Sequence, residues 1–166
     1  MKKKINLLIA DDDRFIRRSL VRMLERNSMF DISEAEDRDS VFSSIRESPP
    51  DCILMDYYMS DITGLELMRM LKAEGVVAPV IMLTGQGDDS TAAAILKAGA
   101  YDYIPKKRLS EQDFSDTLTT MITSAISRHE AVKESDRAQI ALQLSEARYR
   151  GLIENSPILI ARFFPE

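Results

Sequence analysis

The 166-residue sequence predicts an α/β fold, a doubly wound parallel sheet of five strands followed by an extended C-terminal helix. Short apolar runs, typical of strands buried on both faces, alternate with stretches of helical periodicity. Strict alternation favours right-handed crossovers and a sheet covered on both faces. Residues 110–156 contain no proline and a single glycine, Gly151, which permits a long last helix.

The predicted strands are short and bounded by polar residues. The first, INLLIA, is followed at once by three aspartates, and the second is more polar than the others. The third and fourth, CILM and VIML, are continuous apolar runs that suit the centre of a parallel sheet. The strands are predicted at residues 5–10, 31–36, 52–55, 80–83 and 101–104.

The predicted helices follow from periodicity and from residues that start or stop a helix. The first has apolar residues at helical spacing and Asp13 as its cap, and the second stops at Pro49. Gly75 ends the third helix and Gly99 the fourth. The helices are predicted at residues 14–26, 40–47, 64–74, 88–98 and from 110 onward.

Composition excludes several kinds of site. The chain has 22 Lys plus Arg and 27 Asp plus Glu, and the net charge of −5 argues against direct nucleic-acid binding. Cys52 is the single cysteine and His129 the single histidine, which excludes an intrachain disulfide and a Cys₂His₂ zinc site. A bound metal would therefore need oxygen ligands. No stretch is long enough for a membrane span and the basic start is too short for an export signal, so we expect a cytoplasmic protein.

Polar residues of complementary charge follow four of the predicted strands. Each alone has an ordinary interpretation as a helix cap, a turn residue, a strand end or a solvated charge. Because the carboxyl ends of parallel strands meet at one edge of the sheet, we expect the whole group to converge there. In strand order the residues are Asp11 with Asp12, Asp56, Thr84 and Lys106.

This combination suits phosphoryl chemistry. Clustered carboxylates repel one another, and a hard divalent cation such as Mg²⁺ relieves that repulsion. A carboxylate beside Mg²⁺ can attack a phosphoryl group and form an aspartyl phosphate. The cation and a lysine would neutralise the phosphoryl oxygens, and a threonine hydroxyl can donate a hydrogen bond to one of them.

The motifs around these residues resemble those of a known family. In order and spacing, residues 4–127 resemble the receiver domains of two-component response regulators. The resemblance implies the flavodoxin-like receiver fold, with Asp56 phosphorylated by a histidine kinase or a phosphotransfer protein. The segments that carry it are LLIADDDRFIRR, CILMDYYMSDITGLELM, PVIMLTGQGD and AGAYDYIPK.

The resemblance also implies a metal site. Asp11 and Asp12 would hold Mg²⁺ together with Asp56, and Asp12 would be a direct ligand. The backbone carbonyl of Tyr58 would complete the protein ligands.

Further roles follow from the same resemblance. Thr84 and Lys106 match the switch hydroxyl and the phosphate-binding lysine, and Tyr103 matches an aromatic residue whose rotamer reports phosphorylation. Tyr58 and Gln86 occupy two positions that tune the lifetime of the phosphoryl group, and the bulky ring of Tyr58 is expected to shield it from water.

Two positions depart from the family pattern. Lys107 follows the phosphate-binding lysine where many members have proline, so a trans peptide bond is expected there. Ser60 also replaces a common proline, which should loosen the loop after Asp56.

The end of the chain predicts a different organisation. We expect a receiver domain at 1–127, a helical, coiled-coil-like linker at 128–150 and the start of a truncated PAS-like domain at 151–166. The segment LSEARYRGLIENSP resembles the entry into a PAS sensor domain. Ile122 and Ala125 of the last helix are expected to pack toward the receiver domain with other apolar residues at helical spacing. A weak, interrupted heptad-like pattern continues from them and favours a homodimer through this helix; its members are Ile122, Ala125, His129 and Val132, then Ile140, Leu144 and Ala147.

The leading hypothesis is therefore a phosphoacceptor that relays a conformational change through its last helix to a missing output domain, and is not itself an enzyme. One alternative is an aspartyl-phosphate hydrolase, although such enzymes usually have a second aspartate two residues after the nucleophile, where Tyr58 stands. Another alternative is a non-phosphorylated dimerisation scaffold, which is expected to have lost one of the site residues.

Overall fold

The structure is a computed structural model that describes residues 3–85 and 89–154. Its strands are β1 (Ile5–Ala10), β2 (Phe30–Ala35), β3 (Cys52–Asp56), β4 (Val80–Thr84) and β5 (Asp102–Pro105). They form one sheet in the order β2-β1-β3-β4-β5, and every neighbouring pair is parallel. The predicted fold is confirmed, and each strand end lies within one residue of its predicted position.

Five helices connect and follow the strands. The second helix begins at Arg38 and not at Ser40 as predicted. Asp37 is its N-cap, since its carboxylate accepts a hydrogen bond from the Ser40 N–H at 2.8 Å. The helices are α1 (Arg14–Glu25), α2 (Arg38–Glu47), α3 (Gly64–Ala73), α4 (Asp89–Lys97) and α5 (Phe114–Glu154).

The last helix begins later than predicted. Ser110 ends a short 3₁₀ helix (Lys106–Ser110), and its hydroxyl donates to the carbonyl of Lys107 at 2.8 Å. Glu111 then has an extended backbone, which separates this turn from α5. The prediction of a helix from 110 was wrong because a polar stretch without proline is compatible with both helix types.

Helices cover both faces of the sheet. On one face, α1 and α5 pack against alternate strand residues such as Leu7 and Ile9, with Phe114 among the largest buried side chains. On the other face, α2, α3 and α4 pack against the intervening residues, such as Leu8 and Ala10. Burial on both faces explains why the central strands are continuous apolar runs.

Contacts divide the chain into two units, Met1–His129 and Glu130–Glu166. In the first unit, Ile122 and Ala125 of α5 are completely buried in the core. These two residues therefore face the sheet, which confirms the prediction that they pack toward the receiver domain, and a seam between two copies would have to begin after them. Periodicity alone does not distinguish a helix face packed on its own sheet from one packed on a second chain.

The second unit is described as the remaining part of α5. Its large apolar side chains between 130 and 151 are exposed, namely Val132, Ile140, Leu142, Leu144 and Tyr149. Residues 155–166 lie outside the described residues, and they make up most of the PAS-like domain predicted at 151–166. Within the described ranges, no helix combines the length and the apolar character needed to span a membrane.

Candidate functional site

The carboxyl ends of four parallel strands bring the predicted residues together. Asp11 directly follows β1, Asp56 is the last residue of β3, and Thr84 is the last residue of β4. Asp56 lies opposite Leu83, and Thr84 lies opposite Pro105, the residue before Lys106. The alignment of neighbouring strand ends therefore places all of these residues at one edge of the sheet.

Lys106 joins two of the carboxylates. Its Nζ lies 2.8 Å from Asp11 Oδ2 and 2.8 Å from Asp56 Oδ2. Asp11 is completely buried, Asp56 is almost completely buried, and the lysine side chain is mostly buried. A single ammonium group thus pairs with two carboxylates in a site from which much of the solvent is excluded.

The third carboxylate comes from Asp12, which is exposed. Asp11, Asp12 and Asp56 each place an oxygen so that the three ligand atoms lie within 4.8 Å of one another. Three carboxylates facing one ammonium leave an excess of negative charge. Oxygen donors at this spacing are the donors that Mg²⁺ prefers, so the residues fit this ion.

Burial shifts the acid–base properties of the cluster. Loss of solvation, and secondly repulsion from Asp11, raise the pKa of Asp56 to about 6, although Lys106 acts in the opposite direction. Burial also raises the pKa of Asp11. Burial alone would lower the pKa of Lys106, but its bonds to Asp11 and Asp56 outweigh that effect and raise it. The ammonium therefore stays charged.

Thr84 contributes a buried hydroxyl. The residue is 2% exposed, and its Oγ1 has no hydrogen-bond partner among the described residues. An unsatisfied buried hydroxyl destabilises the protein unless a ligand or water accepts its bond. At the end of β4, this hydroxyl is free to donate a hydrogen bond to an oxygen atom of a ligand bound beside Asp56.

The loop between β3 and α3 borders the site. The Tyr58 backbone N–H bonds the carboxylate of Asp56, while its side chain is 67% exposed and contacts the Tyr57 ring edge-on, with 4.7 Å between ring centroids. The Tyr57 ring packs against the core. The ring of Tyr58 therefore stands at the rim of the site in water.

The remaining predicted residues lie in different surroundings. Tyr103 in β5 is half-buried, and its side chain packs against the core cluster on the α3 and α4 side. Gln86 lies outside the described residues. The bond between Lys106 and Lys107 is trans, as expected. Asp13 caps α1 by accepting from the Phe15 N–H at 2.7 Å, which confirms its predicted role.

Sequence reasoning missed two residues. Gly64 begins α3, and a Cβ there would overlap the carbonyl oxygen of Asp56. Arg17 is buried in α1 and donates to the carbonyl of Asp11 at 2.6 Å. A signal for Arg17 existed, since it falls on the apolar face of α1 with Leu20 and Leu24. No comparable signal marks Gly64, because its role depends on a tertiary contact.

Known proteins resemble this chain in sequence and in fold. The family model of the response regulator receiver domain matches residues 7–119. The DNA-binding transcriptional regulator NtrC of Proteus hauseri is 32% identical over 141 residues, 85% of this chain and 28% of that protein. The response regulator MprA of Mycobacterium sp. (strain KMS) is 36% identical over 102 residues, 61% of this chain and 44% of that protein.

The chain spans less than half the length of these two relatives. Among solved structures, NtrX from Brucella abortus superposes with a TM-score of 0.70 at 24% identity, over 82% of this chain and 30% of that chain. At this identity the likeness concerns the fold.

Proposed function

This chain belongs to the response regulator receiver domain family of two-component signalling, and on that premise we propose that Asp56 accepts a phosphoryl group with Mg²⁺ present. The donor would be the phosphohistidine of a histidine kinase or of a phosphotransfer protein. The observation that carries the proposal is the position of Lys106, whose Nζ lies 2.8 Å from both Asp11 and Asp56. A cation fixed beside a buried carboxylate can stabilise the charge that develops during phosphoryl transfer.

Mg²⁺ would be held by Asp11, Asp12, Asp56 and the backbone carbonyl of Tyr58, with Asp12 as a direct ligand. Support comes from the three carboxylate oxygens within 4.8 Å of one another and from the repulsion between Asp11 and Asp56, which a bound cation would relieve. Bound Mg²⁺ would supply positive charge that offsets both the repulsion among these acids and the charge of the phosphoryl oxygens.

The transfer itself exchanges one bond for another. A carboxylate oxygen of Asp56 attacks phosphorus as the bond between phosphorus and the histidine nitrogen breaks, and the electron pair of that bond leaves with the imidazole. Attack requires the ionised carboxylate, and a pKa of about 6 leaves Asp56 mostly ionised at neutral pH. In the product, Lys106 would pair with a phosphoryl oxygen and the Thr84 hydroxyl would donate to another.

Three further residues would act after transfer. Tyr103 would change rotamer as Thr84 turns toward the phosphoryl group. Tyr58 and Gln86 would set the lifetime of the acyl phosphate. The exposure of the Tyr58 ring supports a position where water would reach the phosphoryl group. Because the ring is so exposed, it shields the phosphoryl group less than its size alone suggests.

A small phosphodonor tests the proposal directly. Incubation of the full chain with acetyl phosphate and Mg²⁺ should add one phosphoryl group, seen by intact-mass spectrometry and stable to acid but not to base. Asp56→Asn should show no adduct, and parent protein treated with EDTA should show none either. An adduct that persists in Asp56→Asn would contradict the proposal, whereas sustained release of phosphate at many turnovers would favour a hydrolase.

The first turns of α1 provide a surface for the donor protein. Phe15 lies in the first turn of α1, three residues after Asp12, and is 83% exposed; Arg14, Arg18 and Arg22 line the same surface. An exposed aromatic ring surrounded by arginines fits an apolar partner surface with acidic margins. We propose that the histidine-bearing protein docks here, in the cytoplasm, with its phosphohistidine directed at Asp56.

The remaining part of the chain would transmit the signal. We propose that residues 128–150 act as a helical linker, and that residues 151–166 begin a PAS-like domain within a longer protein. Exposed apolar residues in α5, among them Val132, Ile140 and Leu144, support pairing of this helix with a second copy. In this arrangement the domain is a phosphoacceptor and the output activity belongs to another domain.

A further inference from the structure

Arg17 lies close to the acidic site, although it has no part in the proposed transfer. It shares the buried face of α1 with Leu20 and Leu24, and only 8% of the residue is exposed. A permanently charged guanidinium in such a place must be held by several acceptors. The identity of these acceptors indicates its role.

The guanidinium reaches four acceptors from three nitrogens. Nη1 donates to the backbone carbonyls of Asp11 at 2.6 Å and of Asp12 at 3.3 Å. Nε lies 3.4 Å from Glu34 and Nη2 lies 3.3 Å from Glu36, and the Glu36 side chain is 67% exposed. The shortest and most buried contact is therefore with the backbone of the turn that carries two acids of the site. An ion pair with the more exposed glutamates is the weaker attachment.

The same turn is fixed by other bonds. The Asp13 N–H donates to Asp11 Oδ1 at 2.9 Å, which orients that carboxylate. The Asp11 N–H donates to the Ala35 carbonyl at 3.1 Å, and the Arg17 N–H donates to the Asp13 carbonyl at 3.1 Å. Within this network, Arg17 Nη1 donates hydrogen bonds to the backbone carbonyls of both Asp11 and Asp12, whose carboxylates are proposed to hold the metal.

We propose that Arg17 is a positioning residue for the divalent cation: it holds the backbone of Asp11 and Asp12 so that their carboxylates converge with Asp56 before the cation arrives. This inference rests on the proposed function. Arginine suits the task because its planar fork can bond carbonyls and carboxylates in different directions at once, whereas a lysine ammonium is a single point of charge. Groups that orient metal ligands in this way typically change metal affinity by about 10- to 100-fold when removed.

Mg²⁺ binding to the full chain, measured by isothermal titration calorimetry, tests the inference. Arg17→Met should bind Mg²⁺ about tenfold more weakly than the parent. Glu36→Gln is the matched control, since it removes an exposed partner of Arg17 and leaves both carbonyl contacts, and its affinity should equal that of the parent. Phosphorylation by acetyl phosphate, titrated against Mg²⁺, gives a second measurement. The slower rate of Arg17→Met should return to the parent rate at saturating Mg²⁺, which general damage to the fold would not allow.

The outcomes separate this inference from the proposed function. If the parent binds no Mg²⁺, the proposed function fails and the inference fails with it. If the parent binds Mg²⁺ and a folded Arg17→Met binds it equally well, the inference alone is overturned, as it is by a rate deficit that saturating Mg²⁺ does not repair. If Arg17→Met does not fold by circular dichroism, Arg17→Lys decides. Lysine keeps the positive charge but lacks the planar guanidinium, so weaker Mg²⁺ binding by Arg17→Lys supports the inference and parent-like affinity overturns it.

Discussion

Gly64 packs against the carbonyl oxygen of Asp56 so closely that a Cβ atom would overlap it. The Gly64 N–H also donates to the carbonyl of Tyr57 at 2.8 Å. The first residue of α3 therefore determines the backbone position at the strand end that carries the proposed phosphoacceptor.

Replacing this glycine should damage both stability and phosphorylation. Overpacking costs about 1–3 kcal/mol, which exceeds the gain of about 1 kcal/mol that alanine brings to a helix. We expect Gly64→Ala to lower the free energy of unfolding in urea and to slow phosphorylation by acetyl phosphate. Gly151→Ala is the control, since nothing lies near a Cβ at that helical position, and it should leave both unchanged or raise stability slightly. Equal effects of the two variants would contradict the close approach.

The raised pKa of Asp56 predicts a stability that falls with pH. Burial raises this pKa from 3.8 to about 6, so the folded state favours the protonated acid. The stabilisation is complete below the unfolded pKa and is lost as pH rises through about 6. In metal-free buffer at pH 7.5, Asp56→Asn should be more stable than the parent by on the order of 3 kcal/mol, and this difference should vanish below the unfolded pKa of 3.8. Urea unfolding in EDTA measures this, and a difference independent of pH would refute it.

The unpartnered hydroxyl of Thr84 predicts opposite effects on stability and function. Thr84→Val replaces the buried hydroxyl with a methyl group of similar shape, which should stabilise the unphosphorylated protein by about 1 kcal/mol. The same change removes a donor for the phosphoryl group, so the acyl phosphate should have an altered lifetime and a weaker conformational effect. Thr84→Ser keeps the hydroxyl and is the control. Urea unfolding and decay of the phosphorylated mass measure the two effects, and a destabilised Thr84→Val would count against an unsatisfied hydroxyl.

The exposed ring of Phe15 predicts a defect that depends on the donor. Phe15→Ala should slow transfer from a phosphohistidine-bearing protein by about tenfold, because it removes an aromatic contact from the docking surface. Transfer from acetyl phosphate should be unchanged, since a small donor needs no docking surface. Val77→Ala, at an exposed apolar residue in another part of the domain, controls for a general surface effect. If Phe15→Ala slowed transfer from both donors equally, Phe15 would act on the chemistry at Asp56 and not on docking, which would contradict this prediction.

Pairing through α5 predicts position-specific cross-links. Under mild oxidation, Ile140→Cys should form a disulfide between two copies, whereas Leu142→Cys, on another face of the helix, should not. Both side chains are exposed, so exposure alone cannot produce the difference. Burial raises the pKa of the native Cys52 thiol to about 12, so this thiol will not compete. Non-reducing gel electrophoresis reads the result, and equal cross-linking at both positions would argue against a defined helix pair.

Most of the fold and the proposed site was predictable because single residues marked the ends of its elements. Asp11, Asp56 and Thr84 stand where apolar runs stop, and parallel strands bring such ends together. The start of the last helix was not predictable in the same way, since the segment around Ser110 has neither a glycine nor a proline to separate a 3₁₀ turn from α5.

The errors and omissions share a physical cause, which is that one local pattern is compatible with different tertiary partners. Ile122 and Ala125 have the spacing of a coiled-coil seam, but the sheet of the same chain covers them. Arg17 belongs to an ordinary amphipathic helix, and its role appears only when the turn after β1 lies over it. The contact of Gly64 with Asp56 joins residues whose relation depends on how α3 leaves its loop.

The residues of α5 that close one face of the core are the last members of that core to be synthesised. Phe114, Leu118, Ile122 and Ala125 complete the cluster that contains Leu7 and Ile9 of the first strand. A nascent chain therefore keeps the part of this face that α5 covers open to water until residue 125 has left the ribosome, even though α1 is made early. Until then the apolar surface that α5 would cover is available to chaperones and to aggregation, so the order of translation limits when this domain can complete its core.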